Sequence, residues 1–136
     1  MRLQASKSNT ASAAIRAFCM LTDQVGDLVA VRSTSNGAYR VWRADPALRN
    51  RMPAIGIIIK KWGTTDCVVQ LQGPVLNIYT GLVPTTVYLV GDAGKPVTTP
   101  PVPAAGETRY IQHVGTPLAT QVLDLQPSLH LLVRHA

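Results

Sequence analysis

The chain has 136 residues, a net charge of +6 and a pI near 9.8, with 46% hydrophobic and only 15% charged residues. This length suits one domain with core enough to fold without disulfide or metal, while the charge fraction, against about 25% in ordinary soluble domains, leaves an isolated monomer short of ions to cover its surface. The longest apolar run, Met52 to Ile59, ends at Lys60 and Lys61, far short of the roughly 20 residues of a membrane-spanning helix.

Residues 1–10 are polar and rich in Ser, Asn and Thr, and read as an arm. They are too polar for a secretory signal, so synthesis in the cytoplasm is expected. From Ala11 to Leu21 the alanines favour helix, while Phe18 to Leu21 could open a strand. The expected boundary puts an arm at 1–24, ordered only by a partner, and a β-domain at 25–136. Asp23 to Asp27 reads as a turn. Leu28 to Arg32 is a strand, and Asn36-Gly37 is a hairpin turn, because both residues tolerate positive φ. Ala38 to Arg43 returns as a strand, with Tyr39 and Val41 on one face and Arg40 and Trp42 on the other. Asp45 and Pro46 read as the N-cap and first position of one helical turn.

Ala54 to Trp62 is the strongest strand, with Ile55, Ile57 and Ile59 on one face and Gly56 marking a bulge or a close backbone approach. Asp66 to Gln72 follows, with Cys67, Val69 and Leu71 inward and Gln70 and Gln72 outward. Between Gly73 and Leu125, short apolar runs alternate with Gly, Pro and Thr. Gly91 to Gly94 makes a hairpin turn, and Thr98 to Pro103 crosses the surface in extended form. Leu129, Leu131 and Val133 make a last alternating strand, with His130 and Arg134 opposite. The fold class is all-β, a single small β-barrel or β-sandwich of short antiparallel strands with an N-terminal arm.

No catalytic constellation is visible, and the chain reads as a non-enzyme. The three histidines and two cysteines have no metal-ligand spacing, and no phosphate-binding glycine loop is present. Cys67 reads as a small buried hydrophobe, and no cofactor is expected. The charge is uneven. Residues 1–68 hold ten Lys and Arg against four Asp, whereas three cations and three acids cancel in residues 69–136. An acidic partner for the first half, nucleic acid or an acidic protein surface, is one reading of this excess, and ordinary solvated charge is the other. The candidate partner-binding residues are Arg40, Arg43, Arg49 and Arg51, flanked by Tyr39 and Trp42. A turn after Arg43 would gather Arg43, Arg49 and Arg51 at a sheet end, with Arg40 on the other face. Aromatics are only 5% of the chain and no RNA-recognition signature appears, so direct nucleic-acid binding is not expected.

The ordered runs VGDLVAV, MPAIGIIIKK, CVVQLQGPV, YTGLVPTTVYLVGDAGKPVTTPP and YIQHVGTPLATQVLDLQPS resemble a module of tailed-bacteriophage virion proteins, the capsid decoration (cement) proteins and related head or tail fibre modules. The resemblance runs from Val25 to the C-terminus. It centres on Gly81-Leu82-x-Pro84, Tyr88-Leu89-x-Gly91, Thr98-Thr99-Pro100-Pro101 and Gln112-x-Val114-Gly115. Thr85 departs from it, because the family often has glycine after that proline. The resemblance implies a β-domain that forms a homotrimer and sits on the outer capsid surface of a virion. There it would bind the major capsid protein and bridge neighbouring subunits. A fibre module recognising a host receptor or glycan is the alternative.

Overall fold

The computed structural model describes residues 12–136. Nine strands form one sheet and two more a small second one. The large sheet begins with β1 (Ala13–Phe18), β2 (Leu28–Ser35), β3 (Ala38–Arg43), β4 (Ala54–Trp62) and β5 (Asp66–Leu76). β1 pairs with both β3 and β5, so the order β1-β3-β2-β4-β5 closes on itself as a five-stranded barrel. Every pairing is antiparallel except β1 with β3, which is parallel through the single register Phe18↔Arg40. The class is therefore all-β as expected, with a mixed rather than purely antiparallel sheet.

Each barrel strand sends side chains into the barrel. Ala17, Val29, Val41, Ile58, Cys67 and Val69 form its core with Cys19. Full burial of each Val or Ile contributes about 1.5–3 kcal/mol. The expected arm at 1–24 is corrected here for its second half. Residues 13–18 are β1, the strand that closes the barrel, and Ala17 and Cys19 are buried; residues 1–11 lie outside the described part. Of the alanines that looked helical, Ala17 is the small side chain buried in the narrow barrel, while Ala14 is exposed on the other face. Removing residues 1–24 would therefore open the barrel, not leave the β-domain intact.

β5 leaves the barrel at Gly73-Pro74 and continues into a second layer. Its last residues, Gly73–Leu76, pair with β10 (Val122–Leu125), followed by β9 (His113–Ala119), β6 (Tyr88–Val90) and β7 (Pro96–Val97). The second core lies between this layer and the outside of β2 and β4. It holds Leu28, Ala54, Ile57, Val75, Val90, Val114, Leu123 and Leu125. Here Gln70 departs from its expected outward position. It is buried, and its amide donates to the carbonyls of Gln72 (3.1 Å) and Pro74 (2.9 Å), pinning the bend of β5.

The isoleucines of β4 do not all share one face. Val29 sits opposite Gly56 and Ala30 opposite Ala54, so Ile55 is an extra, bulged residue. The bulge turns Ile55 toward the barrel core with Ile58, while Ile57 and Ile59 face the second core. Gly56 itself marks a close approach, since an added Cβ would lie 2.3 Å from the carbonyl oxygen of Gln70.

The Asn36-Gly37 hairpin forms as expected, with φ of 52° and 73°. Asp45 accepts the Ala47 amide at 2.9 Å, as an N-cap would, but the turn it starts is followed only by a three-residue 3-10 segment, Arg49–Arg51. The last strand is corrected as well. It is β11 (Leu132–His135), paired with β8 (Thr108–Ile111). All four residues of β11 are exposed, because no further layer covers this two-stranded sheet; of Leu129, Leu131 and Val133, Leu131 packs on the core.

Thr85 has φ of +67°, a left-handed conformation costly for a β-branched residue. Thr85→Gly is expected to stabilise the fold by about 1 kcal/mol, the relieved strain exceeding the entropy glycine adds to the unfolded chain. A rise in the urea midpoint at unchanged slope checks it; a fall would show that the Thr85 side chain contributes more than its backbone costs.

Candidate interaction surface

The positive charge of the first half is uncompensated. Among the described residues the ion pairs are Lys95 with Asp27, and Arg109 with Asp92 (3.1 Å) and Glu107 (3.0 Å). Both cations belong to the second half. No cation of the first half takes part, and Lys61 instead donates to the backbone carbonyls of Leu21 (3.1 Å) and Asp23 (2.5 Å) at the barrel end.

The four arginines predicted from sequence divide into two groups. Arg43 ends β3, and the 3-10 segment folds back on it, so that Arg51 Nε donates to the Arg43 carbonyl at 2.9 Å. The Arg51 guanidinium lies 4.7 Å from the centre of the Trp42 ring. Arg49 is exposed in the same turn, and the Arg43 stem packs on Gly94. The turn thus gathers Arg43, Arg49 and Arg51 at the end of β3. Arg40 stands apart, 5.2 Å over the ring of Phe18.

Around Arg40 the barrel assembles a second group that the sequence did not suggest. On the outer face of β5, Val68 sits between Arg16 of β1 and Lys60 of β4, and Asp66 sits between Phe18 and Trp62. Arg16 and Lys60 both lie 5.0 Å from the centre of the Trp62 ring. Phe18 and Trp62 are about two-fifths exposed, at 40% and 38%. Such cation–ring contacts contribute about 0.5–1 kcal/mol each at exposed sites, and fix where the charges point. Arg16 and Trp62 are far apart in sequence and only the register through β5 brings them together. The one sequence signal was the alternation of Arg16 with Phe18 and of Lys60 with Trp62.

At one end the barrel is open. Ile15, Val31, Tyr39, Ile55 and Leu71, one from each strand, line a hollow of about 400 Å³ with Leu129 at its rim. Leu129 is 70% exposed, and Leu132 and Val133 of β11 are exposed beyond it.

Chemically reactive groups are quiet. Cys19 and Cys67 are free, buried and hydrogen-bonded to each other. Burial, and then the proximity of Cys19, push the Cys67 thiol up to about 12, so it stays protonated at neutral pH and is a poor nucleophile. Among the described residues no His, Cys, Asp or Glu cluster of metal-binding size occurs. The surface offers charge, aromatic rings and apolar area, which suit binding. Comparison of the chain with protein-family models, with curated proteins and with solved structures finds no match.

Proposed function

We propose that this protein is a structural component of a virion. It binds the outer surface of a capsid and stabilises the shell by bridging capsid subunits. The observation that carries the reading is the positive surface of the first half, unpaired among the described residues, together with large exposed apolar side chains, among them Leu129, Leu132 and Val133. A lone soluble monomer gains nothing from leaving such area in water; an assembled one buries it. The ordered motifs from Val25 to the C-terminus add to this. Self-association as a homotrimer on the shell, with the major capsid protein as partner, belongs to the same reading. So do synthesis in the host cytoplasm and a role without catalysis.

Co-sedimentation with empty capsids from the protein's own source tests the reading, and failure to bind overturns it. In the absence of shells, sedimentation at micromolar concentration is expected to show an oligomer as the main species. A clean monomer would remove the apolar half of the argument.

The arginine group at the end of β3 should contribute to attachment. Each well-formed Arg–carboxylate pair there contributes about 1–3 kcal/mol. Because Arg51 is tied to the Arg43 carbonyl and Trp42, Arg49→Glu with Arg51→Glu is expected to lower fold stability by about 1–2 kcal/mol besides weakening attachment. Arg43→Glu with Arg49→Glu should weaken capsid binding more than about tenfold while leaving thermal unfolding nearly unchanged. Normal, salt-insensitive attachment would place the contact elsewhere.

The alternative reading is a head or tail fibre module recognising a receptor or glycan. Half-exposed Trp62 and Phe18, with Arg16, Arg40 and Lys60 stacked on them, favour it, since exposed aromatic edges beside hydrogen-bond donors can hold a sugar. Saturable glycan binding that Trp62→Ala abolishes would support this alternative over the first.

A further inference from the structure

The barrel carries a second basic surface besides the arginine turn at the end of β3. We infer that the outer face of β1, β5 and β4 is a docking site for an acidic segment of a protein partner, with Arg16, Arg40 and Lys60 pairing with its carboxylates around Phe18 and Trp62. The inference deepens the shell-binding reading, and rests on it only for the identity of the partner.

Three observations lead here. The first is charge: Asp66 is the one acidic residue in β1, β3, β4 and β5, and none of Arg16, Arg40 and Lys60 enters an ion pair among the described residues. The second is arrangement. Each cation rests against an aromatic ring, at 5.0–5.2 Å from its centre. The rings hold the long side chains in place, so less side-chain freedom is lost when a carboxylate binds. Strand spacing sets Arg16 and Lys60 about 10 Å apart across β5, a span that carboxylates along one extended segment can meet. The third is composition. Arg, Phe and Trp, with half-exposed Met20 beyond Phe18, are the residue types that anchor protein interfaces.

A protein segment fits better than a single-stranded nucleic acid. Base stacking needs free ring faces, whereas Trp62 is covered by Arg16 and Lys60, and Phe18 by Arg40. The Asp66 carboxylate between the two rings can also accept a hydrogen bond from a peptide amide, a donor that a deoxyribose–phosphate backbone lacks.

The test is fluorescence anisotropy with a labelled oligoglutamate peptide and a labelled oligo(dT) of equal charge. Oligoglutamate is expected to bind, with affinity falling as salt rises. Arg16→Glu with Lys60→Glu should weaken it more than about tenfold. Arg134→Glu with Thr120→Glu and Gln121→Glu, the same change of net charge at exposed sites outside the five barrel strands, should change it little. Phe18→Ala should weaken it without reversing any charge. Equal loss from both variants of matched charge would reduce the effect to net charge and overturn the site. Tighter binding of oligo(dT) would overturn it in favour of a nucleic-acid face, and no binding of either probe would overturn it outright. The capsid assay separates this site from the function it serves. Oligoglutamate binding without capsid binding removes the shell reading and leaves the site; capsid binding unchanged by Arg16→Glu with Lys60→Glu removes the site and leaves the shell reading.

Discussion

Gln112→Leu is expected to lower the melting temperature by about 15 °C, the larger of the two fold effects developed here. Gln112 lies between β8 and β9 and is fully buried. Its Oε1 accepts the Ala54 amide at 2.7 Å, and its Nε2 donates to the carbonyls of Ala54 and Ser128, both at 2.8 Å. One side chain thus completes the backbone of β4 where the bulge at Ile55 interrupts pairing, and ties the barrel to the second layer. Leucine has a similar volume but leaves an amide and two carbonyls unpaired in the core. At about 1–3 kcal/mol for each abandoned group, the total comes to about 4 kcal/mol.

Gln112→Glu separates lost hydrogen bonds from lost packing. A carboxylate there would face two carbonyls in a buried site, which raises its folded pKa above the unfolded value of about 4.3. The unfolded state then binds fewer protons than the folded one, so the contribution to stability is present below that value and lost as pH rises through the folded pKa. Relative to wild type, the variant should recover stability as pH falls from 7 toward 4. A pH-independent deficit would mean that the position matters through shape alone.

Gly56→Ala is expected to cost about 3 kcal/mol, the upper end of ordinary overpacking. The added methyl would lie 2.3 Å from the Gln70 carbonyl oxygen and 2.7 Å from Val69 Cγ1. Val69 can turn; the carbonyl belongs to β5, and moving it pulls β5 from β4 where Ile57 faces Gln70. Gly37→Ala is the comparison, with φ of +73° but nothing within 4 Å of the new carbon. It should cost only about 1 kcal/mol, from backbone strain. Equal destabilisation of the two variants in urea unfolding would show that the barrel can open at Gly56 and that the crowding there carries no energy.

Several elements were legible from local chemistry. Asn36-Gly37 announced its hairpin because few residues reach positive φ cheaply. The β-branched run of β4 announced a strand, and the Pro-rich stretch at 98–103 announced its absence. β1 was ambiguous because its alanines suit either a helix or a narrow barrel, and only a neighbouring strand decides between them. The face of Ile55 was misread because a bulge resets the two-residue period, and bulges depend on the partner's register. Gln70 looked like a surface residue, and no local pattern marked Gln112 as buried; the burial of both depends on backbone groups that only the assembled layers leave unpaired.

The sequence by itself determined the all-β class, the turn positions and the excess of positive charge in the first half, since these follow from residue types and short-range spacing. The tertiary structure alone decided that the barrel closes through β1, and that Arg16, Arg40 and Lys60 meet Phe18 and Trp62 on one face. Which strands become neighbours is fixed by the burial of two cores at once. That balance is summed over the whole chain, so no local pattern carries it.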